Sequence, residues 1–73
     1  MEEDVFEMVR RTRERYLERK AHGPRVSQEE LARRLRTTLG VLNRRFKQVE
    51  RGDRSISMRP ATVKCWLDGL KNF

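Results

Sequence analysis

Apolar residues recur along this chain at helical rather than alternating intervals. Val5, Val9, Thr12 and Tyr16 stand at i, i+4, i+7 and i+11, with Phe6 and Leu17 widening the stripe, and predict an amphipathic helix over about residues 2–21. Glu2, Glu3, Asp4 and Glu7 complement the positive end of its dipole and Arg19 and Lys20 the negative end, while Gly23-Pro24 supplies a stop. A second helix opens at Ser27-Gln28-Glu29-Glu30, which has the form of a capping box, with Val26 and Leu31 where a hydrophobic staple would pack. Leu31, Ala32 and Leu35 then face inward, and Arg33, Arg34 and Arg36 outward.

Two registers compete in the next stretch. Leu39, Leu42, Phe46 and Val49 fit one long helix from Thr38 to Arg51. Alternatively the second helix runs on to about Leu39, Gly40 turns the chain in the left-handed conformation, and a third helix spans Leu42 to Arg51. The second register is preferred, because glycine costs about 1 kcal/mol inside a helix and little at a turn. Either register puts Arg44, Lys47, Gln48 and Arg51 opposite the buried Phe46 and Val49, with Asn43 on the flank and Gly52 as the cap. A polar loop from Asp53 to Ser57 leads to a last helix over about residues 58–71, with Ser57 as N-cap, Pro60 in its first turn and Val63, Trp66, Leu67 and Leu70 as its apolar side. Trp66 and Phe73 are either a lid on the core or a self-association surface, the lid being preferred for Trp66. No segment alternates as a strand and none repeats. The expected fold is all-α, a small bundle of about four helices forming a single domain over residues 1–73.

With 73 residues there is room for one core only, and its stability should amount to a few kcal/mol. Cys65 is the sole cysteine, so no disulfide framework exists, and a reducing, cytoplasmic compartment is expected. No apolar run approaches the roughly 20 residues of a membrane span or the roughly 7–15 of a signal-peptide core.

Charge changes the picture more than composition does. The net charge is +7, with 18 Lys+Arg against 11 Asp+Glu. Residues 1–22 hold six basic and six acidic side chains and sum to zero. Residues 33–59 hold nine basic side chains against Glu50 and Asp53 and carry an excess equal to that of the whole chain. Eight of the nine are arginine, whose planar fork suits phosphate and guanine. A solvated helix surface is the plain reading of such a block, and a polyanion-binding surface is the functional one. An enzyme fails on inventory: His22 sits by a helix stop as a dipole partner, Cys65 reads as a small buried hydrophobe, and there is neither metal-ligand spacing nor a glycine-rich phosphate loop. No cofactor is expected. Single-strand RNA binding would need stacking aromatics, and the basic block holds only Phe46, assigned to the core. A protein-interaction module, such as an antitoxin or an inhibitor docking through the first helix and Trp66, is the remaining alternative.

A helix, a tight turn and an outward-basic helix within about 25 residues describe a helix-turn-helix, here about residues 27–52. The run Val26-Ser27-Gln28-Glu29-Glu30-Leu31-Ala32-Arg33-Arg34-Leu35, then Leu39-Gly40-Val41, then Val49-Glu50-Arg51-Gly52-Asp53-Arg54, resembles the Cro/C1-type (Xre family) DNA-binding domain, with its lambda-repressor-like helical fold. The family's Leu-Gly-Val turn usually follows the Ala after about two residues; here Arg33 to Thr38 intervene before Leu39. The family usually has five helices, against four here. The resemblance implies a sequence-specific regulator of transcription, a repressor in type, that binds double-stranded DNA as a homodimer in the cytoplasm, associated with the nucleoid. It also implies roles for particular residues. Asn43, Arg44, Lys47 and Gln48 would read base edges, Arg44 suiting guanine and Asn43 and Gln48 adenine. Gln28 and Ser27 at the second helix, with Arg36, Arg45, Arg51 and Arg54, would hold backbone phosphates.

Overall fold

The structure, a computed structural model, describes residues 4–23, 26–71 and 73. Four helices form among these residues: α1 (Val5–His22), α2 (Gln28–Arg34), α3 (Leu39–Glu50) and α4 (Pro60–Lys71). The described residues contain no strand, so the fold is all-α as expected. The expected dipole partners Glu2 and Glu3 and the stop at Pro24 lie outside the described residues.

The Asp4 carboxylate caps α1, accepting from the backbone N–H groups of Phe6 (3.0 Å) and Glu7 (3.4 Å). The buried stripe of α1 is Phe6, Met8, Val9 and Thr12. Met8, which the sequence reading passed over, is fully buried, whereas Val5 and Tyr16 are half-buried and Leu17, expected in the stripe, is 41% exposed. At α2 half of the capping box forms: the Ser27 hydroxyl accepts from the Glu30 N–H at 3.1 Å. The Glu30 carboxylate turns instead to Arg33 (3.6 Å) and Arg34 (3.5 Å).

The preferred register between α2 and α3 is overturned. Helix α2 ends at Arg34, and Gly40 lies in the first turn of α3, exposed, with nothing within 4 Å of where a Cβ would stand. The left-handed residue is Arg36, at φ 57°. Thr37 N–H bonds to Ala32 C=O (2.9 Å) and Arg36 N–H to Arg33 C=O (3.1 Å), the paired bonds of a Schellman motif with arginine where glycine is usual. These bonds and the burial of Leu35 outweigh the roughly 1–2 kcal/mol that a left-handed L-residue costs. The Thr38 hydroxyl then caps α3 by accepting from Val41 N–H at 3.2 Å. The turn thus lies at Leu35–Thr37, two residues after Ala32, and Leu39-Gly40-Val41 forms the first turn of α3 instead. The same motif closes α3 with the expected glycine: Gly52 is at φ 72°, its N–H on Val49 C=O and that of Asp53 on Gln48 C=O, both at 2.9 Å, and Arg51 caps the helix from outside it.

The last helix begins at Pro60 rather than Met58, and Ser57 is not its cap; Val63 N–H bonds to Arg59 C=O at 3.0 Å, which puts Arg59 at the N-cap position and Pro60 at the position where its missing N–H costs nothing. Helices α3 and α4 each pack against both α1 and α2. Trp66 and Phe73 are buried, which settles the lid against the exposed surface. The Trp66 indole N–H donates to the Thr12 hydroxyl at 2.7 Å, and that hydroxyl donates to Met8 C=O at 2.8 Å, so the buried polar pair joining α4 to α1 is satisfied. Where α4 crosses the end of α2, a Cβ on Gly69 would stand 2.5 Å from Arg34 O. Ile56, in the loop expected to be polar, is buried and pins the α3–α4 connection to the core. Cys65, expected to be buried, is only half-buried.

Candidate nucleic-acid interface

With Leu42, Phe46 and Val49 turned into the core, 100° per residue directs Gly40, Arg44, Lys47 and Arg51 away from it, and all four are exposed. The side chains of Arg44 and Lys47 have no ion-pair or hydrogen-bond partner among the described residues, and neither has that of Arg36. Helix α1 treats its cations differently. Arg10 bonds Glu7 (2.9 Å) and Glu14 (2.7 Å), and the Glu7 bond first, then Glu14, holds its pKa above the ordinary value. Arg13 donates to Glu50 from Nε (3.1 Å) and Nη2 (2.9 Å), Arg15 donates to Leu70 C=O (3.1 Å), and Arg19 donates to Phe73 C=O while its guanidinium lies 4.9 Å from that residue's ring centre. The fold thus engages Arg10, Arg13, Arg15 and Arg19 of the neutral segment internally and turns Arg44 and Lys47 of α3 to solvent.

Two clefts flank the exposed face. On the α1 side, Gln28, Asn43 and Lys47 share a cleft of about 210 Å3 with Arg13, Tyr16 and Phe46, so the first residue of α2 stands beside the flank of α3. Glu50 also lines it, and Arg13 neutralises this acid beside the basic face. On the other side, Arg36 and Arg45 line an open groove of about 620 Å3 whose remaining walls include Thr37, Val41, Ser57, Met58, Arg59 and Thr62. Arg45 donates from Nη1 to Gln48 Oε1 at 3.2 Å, which orients the Gln48 amide, while the buried Arg45 Nε has no hydrogen-bond partner. Arg59 and the three hydroxyls were missed as groove residues by sequence reasoning. Arg59 counted in the basic block, but nothing local ties it to Arg36.

The remaining candidates stand apart from these clusters. The Ser27 hydroxyl is engaged in capping α2, and the Arg54 guanidinium lies over the Phe6 ring at 4.5 Å from its centre. Near Arg51, the Asp53 carboxyl is held below its ordinary pKa, first by the hydrogen bond from the Ser55 hydroxyl, then by the Ser55 N–H, with a smaller contribution from Arg51.

Among the described residues no group of three or more His, Cys, Asp or Glu side chains could hold a metal ion, and no helix is long and apolar enough to cross a membrane. Family models, curated protein sequences and solved structures contain no match to this chain.

Proposed function

We propose that this chain is a sequence-specific double-stranded DNA-binding regulator of the Cro/C1 kind, with α3 lying in the major groove. The observation that carries the reading is the exposed cationic face of α3, where the Arg44 and Lys47 side chains have no partner and Arg51 follows at the helix end, while Arg10, Arg13, Arg15 and Arg19 of α1 are engaged within the fold. A helix about 10–12 Å across fits a major groove about 12 Å wide. In this reading Arg44 and Lys47 address guanine, Gln48, oriented by Arg45, and Asn43 address adenine, and Gln28, Ser27, Arg36, Arg45, Arg51 and Arg54 meet the backbone. The regulator binds an inverted repeat as a homodimer, its half-sites about 10 base pairs apart or a multiple of that.

Selection from a randomised duplex pool at near-physiological salt tests this. Enrichment of a defined half-site is the expected result, and retention without a motif would reduce the basic face to a phosphate-binding surface. On the selected site, Arg44→Ala should cost about 1–3 kcal/mol of binding and relax one base position. An equal loss on all sequences would remove Arg44 from base reading.

A further inference from the structure

Along the outer edge of α4, Pro60, Val63 and Leu67 recur at i, i+3 and i+7 and, with Val5 of α1 and Met58, line a groove of about 520 Å3. Val5, Met58, Val63 and Leu67 are half-buried against the core and leave the rest of their apolar surface in this groove. Such a helical seam has the form of a helix-packing surface. Its flank carries Lys64 and Asp68, both exposed, opposite in charge and one helical turn apart. Lys71, 3.9 Å from Asp68, adds a cation at the far end.

We propose that a second copy of this chain occupies the groove, α4 packing antiparallel on α4 of the partner subunit about a two-fold axis. The charge pattern selects both occupant and direction. A two-fold axis near the middle of α4 sets Lys64 against Asp68 of the partner subunit and, by symmetry, Asp68 against the partner's Lys64, whereas a parallel pair would align like charges. The apolar seam then closes on an identical seam. Met58 lines both this groove and the basic groove of Arg36, Arg45 and Arg59, so the dimer joins two copies at the edge of their phosphate-facing surfaces. The inference names the surface of the homodimer in the proposed function, and its chemistry is independent of DNA. A contact between two 12-residue helices falls at the low end of interface sizes, below about 1,200 Å2, the class of weak, reversible association.

Sedimentation equilibrium of the full chain without DNA tests it. The expected result is a monomer–dimer equilibrium that Leu67→Glu abolishes. Lys64→Asp and Asp68→Lys should each weaken it about tenfold, and the double swap should restore it to within about threefold. Both swapped positions are exposed, and circular dichroism verifies that each variant is folded. A monomer up to millimolar concentration, a dimer indifferent to the single swaps, or a double swap without recovery would each overturn the assignment. Binding of a single half-site duplex, measured separately, bears only on α3: its absence alongside a rescued dimer would defeat the DNA reading and leave this one standing.

Discussion

Gly40 and Gly52 lie at opposite ends of the same helix, and replacing each by alanine should change stability in opposite directions. Gly40 has helical backbone in the first turn of α3 and open space where its Cβ would be. Alanine there should stabilise the fold by up to about 1 kcal/mol, the propensity difference between the two residues. Gly52 also has room for a Cβ, but its φ of 72° is left-handed, and alanine held there should cost about 1–2 kcal/mol. For a domain of this size a change of 1 kcal/mol moves Tm by about 4–8 °C. Gly40→Ala should therefore melt a few degrees above the parent and Gly52→Ala several degrees below it. Arg36→Gly completes the set, since it puts the residue suited to a left-handed position at φ 57° and should gain about 1 kcal/mol. Urea and thermal unfolding followed by circular dichroism at the helix band and by Trp66 fluorescence give the comparison. If Gly40→Ala lowered stability by about as much as Gly52→Ala, the chain would turn at Gly40, and the account of α3 and its exposed face would fail with it.

Three further outcomes follow from the packing. Thr12→Val should destabilise by about 1–3 kcal/mol in urea unfolding, because it strands the buried Trp66 N–H, and Thr12→Ser should recover most of the loss. Gly69→Ala should lower Tm despite alanine's higher helix propensity, since its Cβ would meet the carbonyl of Arg34 at 2.5 Å; an increase would mean that α4 shifts freely over α2. The Asp53 carboxyl is held below its ordinary 3.8 by Ser55, so the unfolded chain binds more protons across that interval. Its contribution is present above about pH 3.8 and disappears as pH falls through the lowered value; Asp53→Asn should flatten that part of the acid-unfolding curve, and an unchanged curve would refute it.

Much of the fold is determined by the sequence alone because local chemistry decides it. Helical spacing of apolar residues, with no alternation, fixes four helices and no strand among the described residues, and Ser27 and Gly52 mark helix ends by side chain and by conformational freedom. The outward position of Arg44, Lys47 and Arg51 also follows from spacing, since both registers bury Phe46 and Val49. The turn was decided by tertiary structure. Locally, Gly40 is the better left-handed residue, but turning there would give up the Thr38 cap and the bonds from Arg36 and Thr37 to the end of α2, and burial of Leu35 holds the break four residues earlier. Burial of Met8, Ile56 and Phe73, the Thr12–Trp66 bond and the close approach at Gly69 join residues distant in the chain, which no local pattern encodes. The same holds for the division among the arginines. Composition assigns the +7 to one block, but only packing engages Arg13 with Glu50, Arg15 with Leu70 and Arg54 with the Phe6 ring, and leaves Arg44 and Lys47 of α3 facing solvent.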